Sequence, residues 1–215
     1  MVNNMCGRFY IPEKDIDDFA GLVNKIEKEL LKKAGEIYPG DYAPIITPNN
    51  QSDLIRSTES NYSGHAVHAV KWGFPVNKGR PVINARSETV REKPMFKLPF
   101  AKRRCLIPAR GFFEWKDAEN SKKRIKHYIS LIDCSMMYLA GFYWFFKDKD
   151  GVLSPYFTIL TTQANEDIIT IHNRMPVIIH EGNREIWLSN GTDNNEIDKL
   201  LRPLDTGLLK IDVIE

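Results

Sequence analysis

The sequence predicts an α+β fold: a mostly antiparallel β-sheet system that curls towards a barrel, with helices at its periphery. Three observations predict it. Runs rich in β-branched and aromatic residues fill the middle of the 215-residue chain. The connections between several of these runs are short, which favours antiparallel pairing. Helical spacing is confined to one N-terminal stretch and a few short later segments.

In chain order, Pro12-Glu13 opens a stretch in which Ile16, Phe19, Leu22, Val23, Ile26 and Leu30 recur at helical spacing, and Gly35 closes it. One amphipathic helix is expected there. A proline-rich irregular stretch from Tyr38 to Pro44 follows, then a strand-like Ile45-Ile46-Thr47 and a polar loop through Asn50 and Gln51. Strands are expected over His65 to Phe74, Arg104 to Lys116, Ile125 to Ile132, Met136 to Phe146, Pro155 to Thr162 and Met175 to His180. Asp133-Cys134-Ser135 joins two of these as a hairpin, and Lys147 to Gly151 is a turn into the next strand. Short helices are expected after Glu88, Ala164, Glu181 and Thr192, the last with a capping Thr or Asp and with Ile197, Leu200 and Leu201 on one face.

A chain of this length, without repeats or a linker, reads as a single domain over 1–215. Hydrophobic residues at 42% with charged residues at 27% exclude disordered and collagen-like classes. No apolar run approaches the roughly 18–20 residues of a membrane span, and Met1-Val2-Asn3-Asn4 is no signal peptide. A cytoplasmic protein without membrane contact is expected. The three cysteines, Cys6, Cys105 and Cys134, form no CxxC or Cys/His cluster, so neither a disulfide framework nor a zinc site is indicated. His65 and His68 are three apart in a strand-like stretch and point to opposite faces, which argues against a shared metal ion. No metal and no cofactor is expected. The net charge of +2 neither demands nor forbids nucleic acid; what matters is whether cations cluster.

Four islands mix buried-looking residues with reactive groups: 6–9, 83–89, 105–115 and 159–179. Singly, each has a structural explanation. Cys6 can be a small buried hydrophobe, Asn84 and Arg86 a cap and an ion pair, and Glu114 the solvated residue between Phe113 and Trp115. His172 can hold a turn. Together they supply a cysteine, a carboxylate, a histidine, an amide and several arginines, the inventory of a thiol-based site that handles an anionic substrate.

The sequence resembles the SOS-response-associated peptidase family, which includes the abasic-site processing proteins. The resemblance rests on Met5-Cys6-Gly7-Arg8-Phe9, Trp72-Gly73, Asn84 to Thr89, Arg104 to Trp115, and Ile171-His172-Asn173-Arg174-Met175-Pro176, in the family's order. It implies a single-domain α+β protein that binds single-stranded DNA containing abasic sites. Capture is covalent, through the cysteine that follows the initiator methionine. An N-terminal cysteine suits an aldehyde, because its amine forms a Schiff base and its thiol then closes a thiazolidine ring; the two titrate near 8 and near 8.5. By this resemblance Cys6 is the nucleophile, Asn84 holds the adduct, and Glu114 and His172 move protons. Arg8, Arg86 and Arg174 contact phosphates, Trp72 stacks against or wedges beside a base, and Thr161 lines the pocket. Arg103, Arg104 or Lys97 extend the cationic face. Cys105 and Cys134 are structural, and the cluster Lys122-Lys123-Arg124 is a solvated hairpin tip. A monomer without an obligate protein partner is expected.

The resemblance also exposes two departures. Four residues precede Met5, so either Met5 is the true start or residues 1–5 are a removable leader that the chain trims itself. The stretch Leu208 to Glu215 is short for the family and leaves its usual last strand in question. The same residues also suit a thiol autopeptidase built on Cys6, Glu114 and His172, and a third reading is a non-enzymatic module for single-stranded nucleic acid. The arginine set separates these, since peptide hydrolysis needs an oxyanion hole and phosphate tracking needs cations along a channel.

Overall fold

The β-branched and aromatic runs do become strands, but they are divided between two sheets. The computed structural model describes residues 6–23, 25–31, 33–49, 62–118, 123–133, 136–147 and 151–214. The leader 1–5, Cys134 and Lys122 lie outside them. In chain order the elements are β1 (Arg8–Ile11), α1 (Glu13–Ala20), α2 (Lys25–Leu30), β2 (Gly35–Ile37), β3 (Tyr42–Pro48), β4 (His65–Trp72), β5 (Asn84–Arg86), α3 (Pro94–Lys102), β6 (Arg104–Ala109) and β7 (Gly111–Asp117). There follow β8 (Arg124–Leu131), β9 (Met137–Lys147), β10 (Leu153–Gln163), β11 (Arg174–Pro176), β12 (Ile178–Ile179), a 3₁₀ turn, α4 (Arg184–Leu188), α5 (Asn194–Leu200) and β13 (Leu209–Ile214).

One sheet runs β13-β8-β7-β1-β2 and is antiparallel throughout. In the other, β10, β4, β3, β6 and β9 pair in that order, and β9 pairs back onto β10. This closes a five-stranded barrel and so removes its edges. Only the pairings of β10 with β4 and with β5 are parallel. The α+β, barrel-like expectation therefore holds. The core is one continuous cluster dominated by Phe9, Trp72, Phe74, Phe112, Phe142, Tyr143 and Trp187, and it fills the space between both sheets.

Several local expectations are overturned. The helical stretch after Pro12 is two short helices, because α1 stops at Gly21, whose N–H donates to the Asp17 carbonyl at 3.0 Å. Gly35 opens β2 at φ 86°, a left-handed conformation that costs glycine nothing. The run 104–116 is broken at Arg110: β6 belongs to the barrel and β7 to the open sheet. Gly111 makes that switch possible, since a Cβ there would stand 2.4 Å from the Ile129 carbonyl oxygen and 2.6 Å from the Tyr128 ring. Arg110 fixes the corner by a two-pronged pair with the buried Asp15.

The expected hairpin of β8 with β9 does not form. β8 pairs with β7 and β13, and β9 with β6, β10 and β12, so the short connection 132–136 carries the chain between sheets. β9 and β10 do pair, with Lys147 opposite Leu153, while residues 148–150 of the expected turn lie outside the described residues. No helix follows Glu88 or Ala164 directly; turns occupy 87–92 and 166–171, and α3 starts later, at Pro94. Asp193 caps α5 by accepting from the Asn195 N–H at 2.8 Å, as expected. The C-terminal stretch does form a strand, β13, in register with β8 over six residues.

A candidate active site where the two sheets meet

Glu114 decides how the site is built. Along β7, Phe112 and Glu114 share one face and Phe113 and Trp115 the other. The inward face is that of Glu114, which is 1% exposed. It is therefore not the solvated residue of a one-sided strand. The antiparallel register of β7 with β1 sets Arg8 opposite Phe113, so the chain just before β1 runs beside Glu114. The Cys6 N–H donates to Glu114 Oε1 at 2.5 Å. Cys6 is fully buried and holds φ 41°, a left-handed conformation that costs a non-glycine residue about 1 kcal/mol or more.

Burial sets the electrostatics of this pair. It raises the Glu114 carboxyl from 4.5 to about 7, against the opposing pull of the Cys6 and Trp115 backbone N–H groups and the Arg124 charge. Burial, with the charge of Glu114, also pushes the Cys6 thiol well above its ordinary value. The result is a protonated thiol beside a carboxyl that titrates near neutrality.

An open cleft of about 460 Å³ lies at this point, lined by Gly7, Arg8, Tyr38, Pro39, Ile83, Trp115 and Arg124. Asn84 follows Ile83 on β5, opposite Ile159 of β10, and is half-buried. Arg86 ends β5 exposed. His172 lies in the turn between β10 and β11, where its Nδ1 accepts from the Arg174 N–H at 3.1 Å. Its pKa is lowered, first by burial and then by the charges of Arg124 and Arg174. The Arg124 charge thus favours the ionised form of Glu114 and the neutral form of His172.

Three expected DNA contacts sit elsewhere than supposed. Trp72 is fully buried: its indole N–H donates to the Ile83 carbonyl at 3.0 Å and its ring stacks 6.2 Å from Phe157. It supports the cleft floor from inside and offers no face to a base. Thr161 is also fully buried: it lies beside β5 in the sheet, opposite Arg86, with its hydroxyl donating to the Ala85 carbonyl at 3.4 Å. Arg174, whose side chain is 11% exposed, forms a two-pronged pair with Glu88 and donates to the Thr161 carbonyl at 2.8 Å. It ties β11 to the turn after β5. Arg8 does line the cleft.

Of the supposed extensions, Arg104 is buried and donates to the carbonyls of Trp187, Phe100 and Ser189, where burial lowers its pKa to about 10. It belongs to the core beneath α4. Cys105 is fully buried, as expected of a structural thiol. His65 and His68 engage different carboxylates, Glu185 and Glu27. Among the described residues no group of three or more metal-ligating side chains gathers, and no helix is long and apolar enough to cross a membrane.

One cleft residue, Arg124, and one partner of a cleft residue, Glu36, escape a reading of sequence. Arg124 belongs to the cluster dismissed as a hairpin tip, yet it starts β8, pairs with Asp117 at 3.4 Å and lines the cleft. Glu36 has no periodic signal, yet it accepts from Arg8 at 3.1 Å and from Lys126. Its carboxyl is held below the usual range: burial opposes ionisation, and the hydrogen bonds and charges of Lys126 and Arg8 outweigh it.

A family model described as SOS response associated peptidase (SRAP) matches residues 5–215. The abasic site processing protein YoqW of Bacillus subtilis (strain 168) is 33% identical over 209 residues, covering 94% of this chain and 88% of its own. YedK of Escherichia coli (strain K12), also an abasic site processing protein, is 26% identical over 202 residues, covering 91% and 85%. Among solved structures, a protein from Bacteroides thetaiotaomicron superposes with a TM-score of 0.78 at 28% identity, covering 98% of this chain and 92% of that one.

Proposed function

The chain belongs to the SOS response associated peptidase family, and from that premise we propose that it processes abasic sites in single-stranded DNA during the DNA damage response, capturing the sugar aldehyde covalently at Cys6. The observation that carries this reading is the contact of the Cys6 nitrogen with a buried carboxyl that titrates at about 7, beside a cleft lined by arginines and aromatic rings. Such a lining suits a single strand, because cations meet phosphates and aromatic faces accept any base.

The chemistry starts with the nitrogen. In a chain that begins at Cys6 this atom is an α-amine, and Glu114 accepts its extra proton. The amine adds to the aldehyde carbon; the C–N bond forms and the carbonyl oxygen becomes a hydroxyl. Protonated Glu114 gives its proton to that hydroxyl, water leaves, and an iminium remains. The thiol sulfur then adds to the iminium carbon, the thiazolidine closes, and the thiol proton passes to Glu114. The order follows from burial, since a thiol pushed upward is a poor first nucleophile. His172, neutral at pH 7, serves the sugar ring oxygen during opening, and Asn84 holds the adduct.

One further reading has its own support. The atom that Glu114 touches is also the nitrogen of the Met5–Cys6 peptide bond. A protonated Glu114 can supply a proton to that nitrogen as the Cys6 thiol attacks the Met5 carbonyl carbon; the C–N bond breaks, the thiol proton passes to the Glu114 carboxylate, and water hydrolyses the resulting thioester to the Met5 carboxylic acid and the free Cys6 thiol. Self-removal of residues 1–5 would then expose the amine that capture needs.

Intact mass tests the main reading. The chain beginning at Cys6, mixed with a single-stranded oligonucleotide bearing one abasic site, is expected to give a species equal to protein plus oligonucleotide less one water. Cys6→Ala is expected to give no species that withstands acid, because without the thiol the Schiff base hydrolyses back to amine and aldehyde; Cys105→Ala is expected to retain the adduct. An adduct that survives in Cys6→Ala refutes the assignment.

A further inference from the structure

On the outer face of the open sheet, one carboxylate is shared between Arg8, which lines the cleft, and Lys126, whose ammonium stands over the cleft residue Trp115. Arg8 lies between the rings of Tyr38 and Trp115, 4.5 and 4.7 Å from their centroids. Lys126 of β8 lies over Phe113 at 4.3 Å and reaches Trp115 at 6.0 Å. Glu36, on the edge strand β2, takes Arg8 Nη1 on Oε2 and Lys126 Nζ on Oε1, and Tyr38 Oη stands 3.3 Å from Oε2. The remaining arginine of the cleft, Arg124, is paired with Asp117. In the free chain each of these three cations therefore already has an acidic partner.

A carboxylate offers two oxygens to two donors, and so does a phosphodiester. The Glu36 side chain is 26% exposed, so its ion pairs stand where solvent and solutes reach them and can be exchanged at small cost. The aromatic rings that flank Arg8 and Lys126 would keep both cations in place during the exchange.

We propose that Glu36 occupies, in the free chain, the position of one phosphate of the bound strand, so that DNA enters by displacing it from Arg8 and Lys126. This makes Lys126 a phosphate contact and Glu36 a built-in competitor that weakens non-specific binding. The inference rests on the reading of the cleft as a path for single-stranded DNA.

The test is binding of a fluorescein-labelled oligothymidylate of about ten nucleotides, without an abasic site, followed by anisotropy over a range of KCl concentrations. Glu36→Gln keeps the shape and the acceptor but removes the charge. It is expected to bind about three- to tenfold more tightly at low salt, with a slope of log K against log salt steeper by about 0.7, the contribution of one more phosphate on a single strand. Lys126→Gln placed on Glu36→Gln is expected to abolish most of the gain. Glu36→Ala gives a second measurement: a competitor predicts tighter binding here too, whereas a residue that merely positions Arg8 predicts weaker binding. Unchanged or weaker binding by Glu36→Gln overturns the inference. If the parental chain itself fails to bind at low salt, the reading of the cleft falls with it. If the parent binds, Arg8→Gln weakens it and Glu36→Gln brings no gain, the inference alone falls.

Discussion

Replacing Glu114 by Gln should make the protein slower and, above neutral pH, more stable. The magnitude follows from burial. A carboxyl raised from 4.5 to about 7 by folding binds its proton more tightly in the folded state than in the unfolded one. Between those values the unfolded chain is ionised and the folded chain is not, so stability falls as pH rises through the window. Above pH 7 the full cost is about 3 kcal/mol, at 1.36 kcal/mol per factor of ten in proton affinity. Gln keeps the acceptor for the Cys6 N–H and has no charge to bury. In a chain that retains residues 1–5, verified by mass, Glu114→Gln is expected to melt about 6–10 °C above the parent at pH 8 and level with it near pH 4.5. In the chain that begins at Cys6 the gain should shrink, because an ammonium there pairs with the parental carboxylate. The same substitution removes the proton carrier, so capture of an abasic oligonucleotide, followed as a gel-shifted covalent species, should slow by about 10²-fold or more. Equal melting temperatures across the pH range together with a parental capture rate would show that Glu114 neither carries a buried charge nor moves a proton in capture.

Two further outcomes follow from the site. Because burial and the charges of Arg124 and Arg174 lower the His172 pKa, its imidazole stays neutral in the folded chain while the unfolded chain protonates near 6.5. Stability should therefore drop as pH falls through that value. His172→Ala should flatten this acid limb in a thermal melt and slow capture, and a variant with both profiles unchanged would exclude His172 from the chemistry. Arg174→Lys loses the two-pronged grip on Glu88 and the bond to the Thr161 carbonyl, which should cost about 1–3 kcal/mol of stability. If the variant melted like the parent but bound the strand more weakly, Arg174 would be a phosphate contact after all.

What the sequence discloses is local. Valine, isoleucine and aromatic runs mark β3, β4, β9 and β10, because strand propensity and alternation act within a few residues. Partner choice does not. The run 104–116 is rich in apolar and aromatic residues from end to end, and only the approach of Gly111 to Ile129 and Tyr128 reveals that the chain changes sheet there. A short connection between β8 and β9 suggests a hairpin, yet both edges of each strand are taken by others. The same limit governs the site. Arg174 looks like an available cation until Glu88, 86 positions away, is found holding it. Trp72 reads as a stacking surface because an aromatic residue carries no mark of whether it faces in or out; the Ile83 carbonyl settles it.

Glu114 shows why a site of this kind forms at the seam of two sheets. A strand with a solvated face would leave the carboxyl near its ordinary value, and at neutral pH it would be an anion with little capacity to donate. A strand buried on both faces would raise it, but no substrate could reach it. β7 lies between β1 and β8 in the open sheet and turns its Phe112 and Glu114 face into the common core. The chain before β1 then ends the burial abruptly: Cys6 covers the carboxyl, and Gly7 and Arg8 already line the cleft. The carboxyl is thus dry on one side and one residue from solvent on the other. That geometry both raises it to about 7 and presents it to the nitrogen on which the proposed chemistry depends.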